Sequence, residues 1–263
     1  MMAPMKLVPL GTNGFFPTLG RQTQCYLVLT DDAAIMLDAG TGVGRLLEPE
    51  IASLVEGYDR LDIFLSHYHI DHCVGLAYLP AVWRGREVVI HGPAPPFADA
   101  TPDEALGRLL NAPFSAPLAV YPFKVELVPV NKTAMSVNGL DMSFRGQNHM
   151  FGSMGIRIAD EIAYVTDTVA DDGTIDLARN VKLLMHELWM TDDELETDEI
   201  GARNHSHLSG VARIAREANV GRLMVMHHHP KRSAAEVADM ARAVEKLAET
   251  EVIVPEESKV YEL

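Results

Sequence analysis

Short apolar runs separated by polar and Gly-containing segments divide this chain into many small elements. Runs bounded by Gly, Asp or Asn are typical of buried strands, and they occur in both halves of the sequence. The predicted strands are Lys6–Leu10, Gln24–Leu29, Ala34–Leu37, Leu61–Leu65, Glu87–Ile90, Phe123–Val130, Ala134–Val137, Met142–Gly146, Ser153–Ile158, Ile162–Thr166, Val181–Met185, Arg222–Met226 and Glu251–Val254.

Helical patterns follow each series of predicted strands. The predicted helices are Val43–Leu54, the stretch from His72 to Leu79 that Pro80 ends, Pro102–Leu110, a turn at Ile175–Arg179, Val211–Ala218 and Ala234–Thr250. Two β-rich series that each close with helices predict two packed sheets with helices outside. Because no linker or repeat interrupts the pattern, we expect one domain over residues 1–263.

The composition is typical of a folded globular domain. Apolar residues make up 48% of the 263 residues, which is enough for a large core, and no apolar run is long enough to cross a bilayer. The N-terminal segment lacks the long apolar stretch of a secretory signal, so we expect a cytoplasmic protein without a membrane partner. In that compartment Cys25 and Cys73 are expected to be reduced thiols, with Cys73 a buried packing residue rather than a metal ligand.

The formal net charge of −15 bears on the partners of the chain. Proteins that grip a polyanion usually present a basic face, since phosphate contacts dominate that affinity. The charge therefore predicts that no large nucleic acid is a partner. It leaves room for a small phosphate ester, because bound metal ions can override the global sign locally.

The clearest chemical pattern is His67-x-His69-x-Asp71-His72, which directly follows an apolar strand. Side chains two apart on an extended segment point the same way, so His67 and His69 can converge on one ion. Imidazole and carboxylate groups suit zinc, iron or manganese. A chance His-rich loop would have no reason to space its histidines by twos, so the pattern predicts a metal site.

Further ligands are expected where other strands end, because loops at strand ends can aim side chains at one site. His149, Asp167 and His227 each follow a predicted strand. Taken singly, they could be a surface histidine, a helix cap and a core histidine. Their shared placement predicts that they complete the site, and the Asp167 carboxylate could bridge two cations.

In this order the candidate ligands resemble those of the metallo-β-lactamase superfamily, and the resemblance covers almost the whole chain. It implies an α/β fold, a four-layer αβ/βα sandwich with the site at one edge, and two divalent metal ions, with zinc expected and manganese or iron as alternatives. The turn at Asp38 resembles the family's early Asp-containing turn, which supports the metal loop. The resemblance implies one metal on His67, His69 and His149, a second on Asp71, His72 and His227, and a bridge at Asp167.

Other motifs resemble the ribonuclease Z-like branch, which includes small phosphodiesterases. They are Leu10-Gly11-Thr12, His91-Gly92-Pro93 and Asn204-His205-Ser206. In that branch the residue matching His205 is catalytic, with Asp71 serving catalysis as well as metal binding. This sequence places a second candidate, His207, two positions on, and Glu187 is a candidate to orient the active imidazole. The segment between His149 and Asp167 has no room for a tRNA-gripping arm.

The sequence thus predicts a dinuclear hydrolase that cleaves a small phosphodiester, such as a cyclic nucleotide, through a metal-bound hydroxide. His205 or His207 would stabilise the phosphoryl charge or protonate the leaving alkoxide. Hydrolysis of a carboxylic ester, lactone or thioester is the alternative, because the same metals polarise a carbonyl. A metal sensor without turnover and a two-iron redox enzyme are further alternatives. The resemblance also suggests a homodimer.

Overall fold

The computed structural model describes residues 4–263. Its strands, numbered along the chain, are β1 Lys6–Gly11, β2 Cys25–Leu29, β3 Ala34–Ala39, β4 Arg60–Phe64, β5 Glu87–Pro93, β6 Lys124–Val130, β7 Ala134–Val137, β8 Leu140–Gln147, β9 Ser153–Ile158, β10 Ile162–Val165, β11 Leu183–Glu187, β12 Arg222–Met226, β13 Val252–Ile253 and β14 Tyr261–Glu262. The α-helices are α1 Pro49–Val55, α2 Ile70–Cys73, α3 Leu79–Val82, α4 Pro102–Leu109, α5 Asp172–Ala178, α6 Glu199–Asn204, α7 Leu208–Glu217 and α8 Ala234–Ala248.

The first of two compact units comprises the described residues up to Asn131 together with Glu256–Leu263. Its sheet has the strand order β14-β1-β2-β3-β4-β5-β6. Strands β3 to β6 run parallel, so their carboxyl ends meet at one edge of the sheet. The loops that carry the predicted first ligand cluster leave from that edge. Side chains of β2, β3 and β4 join those of α3 and α4 in one apolar core.

The second unit comprises Lys132–Pro255. Its sheet has the order β13-β12-β11-β10-β9-β8-β7, and β10 to β13 run parallel. Apolar residues of β10, β11 and β12 pack against α5, α7 and α8. The carboxyl ends of three neighbouring parallel strands therefore lie side by side, with Asp167 after β10, Glu187 at the end of β11 and His227 after β12.

Two prolines change the helices predicted in the first unit. The predicted helix Val43–Leu54 is wrong as a single element: a 3₁₀ segment covers Thr41–Leu47, and α1 begins at Pro49. Glu48 between them is extended, because a residue before proline is disfavoured from the helical region. Pro80 does not end a helix but lies in the first turn of α3, where its missing N–H costs no hydrogen bond.

Other boundaries shift by a few residues or were missed. Strand β11 lies two residues later than predicted, which puts Glu187 inside it. The short helix α6 and strand β14 were not predicted, since neither is long enough to give a periodic pattern. None of the described helices is both long and apolar enough to cross a membrane. The single domain over residues 1–263 stays a prediction.

Candidate metal centre and active site

The first unit gathers four candidate ligands after β4. His67 and His72 are buried, and their ring centroids lie 4.2 Å apart. The ring of His69 is 4.6 Å from that of His67, as the alternation of the extended segment predicts. His69 precedes the first residue of α2, so the turn into that helix carries Asp71 and His72. His72 Nε2 lies 3.4 Å from Asp71 Oδ2.

Asp38 supports this loop from the neighbouring strand. It is fully buried near the end of β3 and adopts a left-handed backbone with φ 55°. Its carboxylate accepts hydrogen bonds from Ser66 N at 2.7 Å and Ser66 Oγ at 2.8 Å, and His72 Nδ1 lies 2.7 Å from Oδ2. A carboxylate can only accept, so His72 donates from Nδ1 and keeps Nε2 as its ligand atom. Asp38 thus fixes the tautomer and the orientation of His72.

Two close approaches hold Asp71. The backbone N–H of Phe15 donates to Asp71 Oδ2 at 2.6 Å. A Cβ on Gly40 would lie 2.2 Å from the carbonyl oxygen of Asp71, so only glycine lets these two loops approach. Asp71 is therefore fixed both through its side chain and through its backbone.

The thiols agree with the sequence expectation. Cys25 and Cys73 are both free and buried. The Sγ of Cys73 donates to the carbonyl oxygen of His67 at 3.4 Å, and burial raises the pKa of the Cys73 thiol far above its usual value. The Sγ of Cys73 is thus directed at a backbone carbonyl, as expected of a packing residue.

The second unit gathers the other three candidate ligands. Asp167 follows β10 with φ 49°, and its Oδ1 lies 3.5 Å from His149 Nε2. Its other oxygen, Oδ2, lies 3.1 Å from His227 Nε2. His149 Nδ1 lies 3.0 Å from the carbonyl oxygen of Asn204, to which it donates, so Nε2 is left as the ligand atom. Burial lowers the pKa of His149, which favours the neutral form that binds metals.

Glu187 organises the histidines of the second unit. It is fully buried at the end of β11, and its Oε1 accepts from Thr168 N at 2.6 Å. Oε2 lies 2.9 Å from His205 Nδ1 and 3.5 Å from His227 Nδ1. Burial alone raises the pKa of Glu187, but the electrostatic effect and the hydrogen bond of His205 outweigh it and hold that pKa below its usual value. Glu187 therefore acts as a buried anion that orients the ring of His205 and lies close to that of His227.

The two catalytic candidates at the start of α7 lie in different surroundings. The ring of His205 is 5.4 Å from that of His149 and 5.6 Å from that of His227. His207 instead is the residue before α7, and its Nδ1 donates to Asp192 Oδ1 at 2.8 Å. The structure thus brings His205 into the cluster and gives His207 a capping position.

Trp189 is a neighbour of this cluster that the sequence interpretation missed. Its ring stacks on His205 at 4.2 Å and 15°, and it lies 5.3 Å from the ring of His227. The signal available in the sequence was an aromatic residue two positions after Glu187. That signal is weak, because aromatic core residues commonly occupy such positions. His91, from the motif His91-Gly92-Pro93, lies 2.7 Å from Asp62 and serves the core of the first unit.

The donor set fits a divalent metal ion. Within the second unit, ligand atoms of Asp167, His205 and His227 lie within 4.8 Å of one another, in a search limited to described residues. Imidazole nitrogens fixed by carboxylates and carbonyls, together with carboxylate oxygens, are the ligands that zinc, manganese and iron take in proteins. Asp38, Asp167 and His227 all have left-handed backbones, and such strained conformations cluster at functional sites.

Comparison with known families identifies the group to which the chain belongs. The model of the metallo-beta-lactamase superfamily matches residues 18–243. The chain belongs to this superfamily. Membership confirms the predicted fold class and the prediction of a metal-dependent hydrolase. It also implies divalent metal ions.

Curated relatives and solved structures agree with the family assignment. A ribonuclease Z of Thermoplasma acidophilum is 25% identical over 284 aligned residues, which cover 88% of each chain. The metallo-β-lactamase fold protein YhfI of Bacillus subtilis gives a TM-score of 0.76 at 22% identity and covers 98% of this chain and 99% of its own. The short form of human tRNase Z gives a TM-score of 0.69 at 19% identity, covering 97% and 98%. The two structures show a shared fold.

These relatives correct one expectation. The expectation that no large nucleic acid is a partner is wrong, because curated relatives over most of the chain are named as ribonucleases. The reason lies in what net charge measures. A total of −15 sums over the whole surface, whereas phosphate affinity depends on the cations of one local site, metals included.

Proposed function

We propose that the chain is a dinuclear metal-dependent phosphodiesterase and that His205 is its catalytic imidazole. The observation that carries the proposal is the Glu187–His205 pair. A fully buried carboxylate lies 2.9 Å from Nδ1 of a histidine whose ring adjoins two candidate metal ligands. A site that only binds metal needs no such oriented imidazole beside its ligands. Relatives named ribonuclease Z cleave the same class of bond.

The proposed ligand set follows the family pattern residue by residue. Within each unit, the ligand atoms left after hydrogen bonding support it, since His72 and His149 both keep Nε2. Zinc is the first metal to test, followed by manganese and iron. We propose one metal on His67, His69 and His149, a second on Asp71, His72 and His227, and Asp167 as the bridge.

Bound divalent ions would polarise phosphoryl oxygens and activate water for attack on phosphorus. The chain's own residues supply the remaining steps. His205 Nδ1 donates to Glu187, so a proton taken up at Nε2 forms an imidazolium that the buried carboxylate stabilises. From Nε2, His205 can donate to a phosphoryl oxygen or protonate the leaving alkoxide. The stacked Trp189 ring covers one face of the imidazole and excludes water there.

The proposed substrate is a small phosphodiester, of which cyclic nucleotides are the natural members to test. Because relatives are named as ribonucleases, a tRNA precursor belongs in the same panel. The panel also needs a lactone and a thioester, since the same metals would polarise a carbonyl.

The test uses metal-loaded protein with bis-p-nitrophenyl phosphate and then the panel, alongside variants. His205→Ala is expected to lower kcat by about 100-fold or more, the usual contribution of a general acid. His207→Ala is the matched control, because it removes the same side chain two positions away, and its kcat should stay within about 3-fold of wild type. Turnover of the lactone or thioester alone would contradict the phosphodiesterase proposal. Equal losses in the two variants would contradict the role of His205.

A further inference from the structure

A cavity lies beside Trp189 in the second unit. It measures about 250 Å³, near the small end of ligand pockets, and so suits a single ring system. Trp189 and His229 form its aromatic lining, with ring centroids 4.7 Å apart at 64°. Since Trp189 also stacks on His205, a molecule in this cavity would contact a side chain that touches the proposed catalytic imidazole.

Of the charged side chains that line the cavity, one is available to bind a ligand. Each acidic side chain there already accepts hydrogen bonds: Glu194 from Thr191 and Arg232, Asp198 from the N–H of Gly201, and Glu236 from Ser233. Among residues 4–263 no carboxylate forms an ion pair with Lys231. Its ammonium group therefore can donate to a ligand without breaking a contact.

We infer that this cavity binds the nucleobase of a nucleotide phosphodiester, with Trp189 and His229 contacting the ring and Lys231 donating to a base oxygen or nitrogen. The inference rests on the proposed phosphodiesterase activity and names its substrate class. Aromatic side chains bind any base through its π-face, and a lysine donor adds preference for bases with an acceptor edge. Both short nucleotides and single-stranded RNA ends carry such a base.

The test compares two esters with the same leaving group, thymidine 5′-(p-nitrophenyl phosphate) and methyl p-nitrophenyl phosphate. In wild type, kcat/KM should favour the thymidine ester by about 10-fold, as one base–aromatic stack commonly gives. Lys231→Met and Trp189→Leu should both reduce this preference several-fold. The ratio of the two esters cancels any general effect of a variant on catalysis. Lys246→Met, an exposed lysine of α8 outside the cavity, is the matched control and should keep the wild-type ratio.

Equal kcat/KM for the two esters in wild type, or equal ratios in Lys231→Met and Lys246→Met, would overturn the nucleobase site while leaving the phosphodiesterase intact. If neither ester is hydrolysed, the proposed function fails, and a binding measurement then tests the nucleobase site on its own. Thymidine 5′-monophosphate should then quench tryptophan fluorescence, and ribose 5-phosphate should not. A Kd at least about 5-fold weaker in Lys231→Met than in Lys246→Met supports the site, and equal Kd values or no quenching overturn it.

Discussion

Asp38 provides a test of how the chain holds its metal ligands, because it is buried beside His72 without being a proposed ligand itself. Asp38→Asn keeps the size of the side chain but replaces one acceptor oxygen by a donor. In either amide orientation, one of the donors His72 Nδ1 and Ser66 N loses its acceptor. A hydrogen bond to a charged group contributes roughly 1.5–3 kcal/mol, so the free energy of unfolding should fall by about 2 kcal/mol.

The same substitution should weaken metal binding. Where the amide nitrogen faces His72, Nδ1 loses its acceptor and the ring can rotate. Where it faces Ser66 N, the backbone next to His67 loses its anchor, so in either orientation a ligand loses its fixed direction. Residues that orient a metal ligand in this way commonly change affinity by about 10–100-fold. The affinity is measured by competition with a chromophoric chelator, and the unfolding free energy by urea denaturation of the same preparations.

Asp62→Asn is the matched control for Asp38→Asn. Asp62 is equally buried on the adjacent strand β4, and its Oδ1 lies 2.7 Å from His91 Nε2, the same kind of Asp–His pair. It should cost a similar unfolding free energy of about 2 kcal/mol and leave metal affinity unchanged. Equal losses of metal affinity in both variants, or unchanged affinity in Asp38→Asn, would refute the positioning role of Asp38.

Three further predictions follow from single contacts. Glu187→Gln should lower kcat by about 100-fold, because the imidazolium of His205 loses its buried counter-charge; steady-state kinetics showing kcat within 3-fold of wild type (~0.7 kcal/mol) would contradict this. Gly40→Ala should lower the unfolding free energy by about 1–3 kcal/mol, because its Cβ meets the Asp71 carbonyl. Gly44→Ala is the control, since a Cβ there has open space and should change the unfolding free energy little. Equal urea midpoints for the two variants would exclude the clash. Burial raises the pKa of Asp171, but the charge of Arg145 and the hydrogen bonds from Arg145 and Thr174 have the larger effect. Together they hold this pKa below its usual value. The stability advantage of wild type over Asp171→Asn should therefore be present at pH 7 and be lost as the pH falls through and below about 4, and a constant advantage across urea titrations in that range would contradict it.

Much of the second-unit site could be predicted from sequence because apolar strands mark their own ends. The buried runs before Asp167 and His227 fix where each side chain emerges, and parallel pairing brings those ends together. The spacing of His67 and His69 likewise follows from extended geometry alone. Local pattern and the final fold agree at these positions, so the sequence is sufficient there.

Other features depend on contacts between distant segments. The choice between His205 and His207 depends on Glu187 and Asp192, which lie far from them in sequence. Trp189 has the same sequence pattern whether it packs in the core or stacks on an active histidine. The error about nucleic acid has a different origin, because a net charge carries no information on where the cations lie.

A metal titration of activity tests the proposed dinuclear phosphodiesterase directly. The protein is dialysed against a chelator, and hydrolysis of bis-p-nitrophenyl phosphate is followed as zinc or manganese is added. A dinuclear phosphodiesterase should show no turnover without metal and a rise that reaches its plateau at two equivalents per chain. Turnover that persists after complete metal removal, or a plateau at one equivalent, would contradict a dinuclear phosphodiesterase.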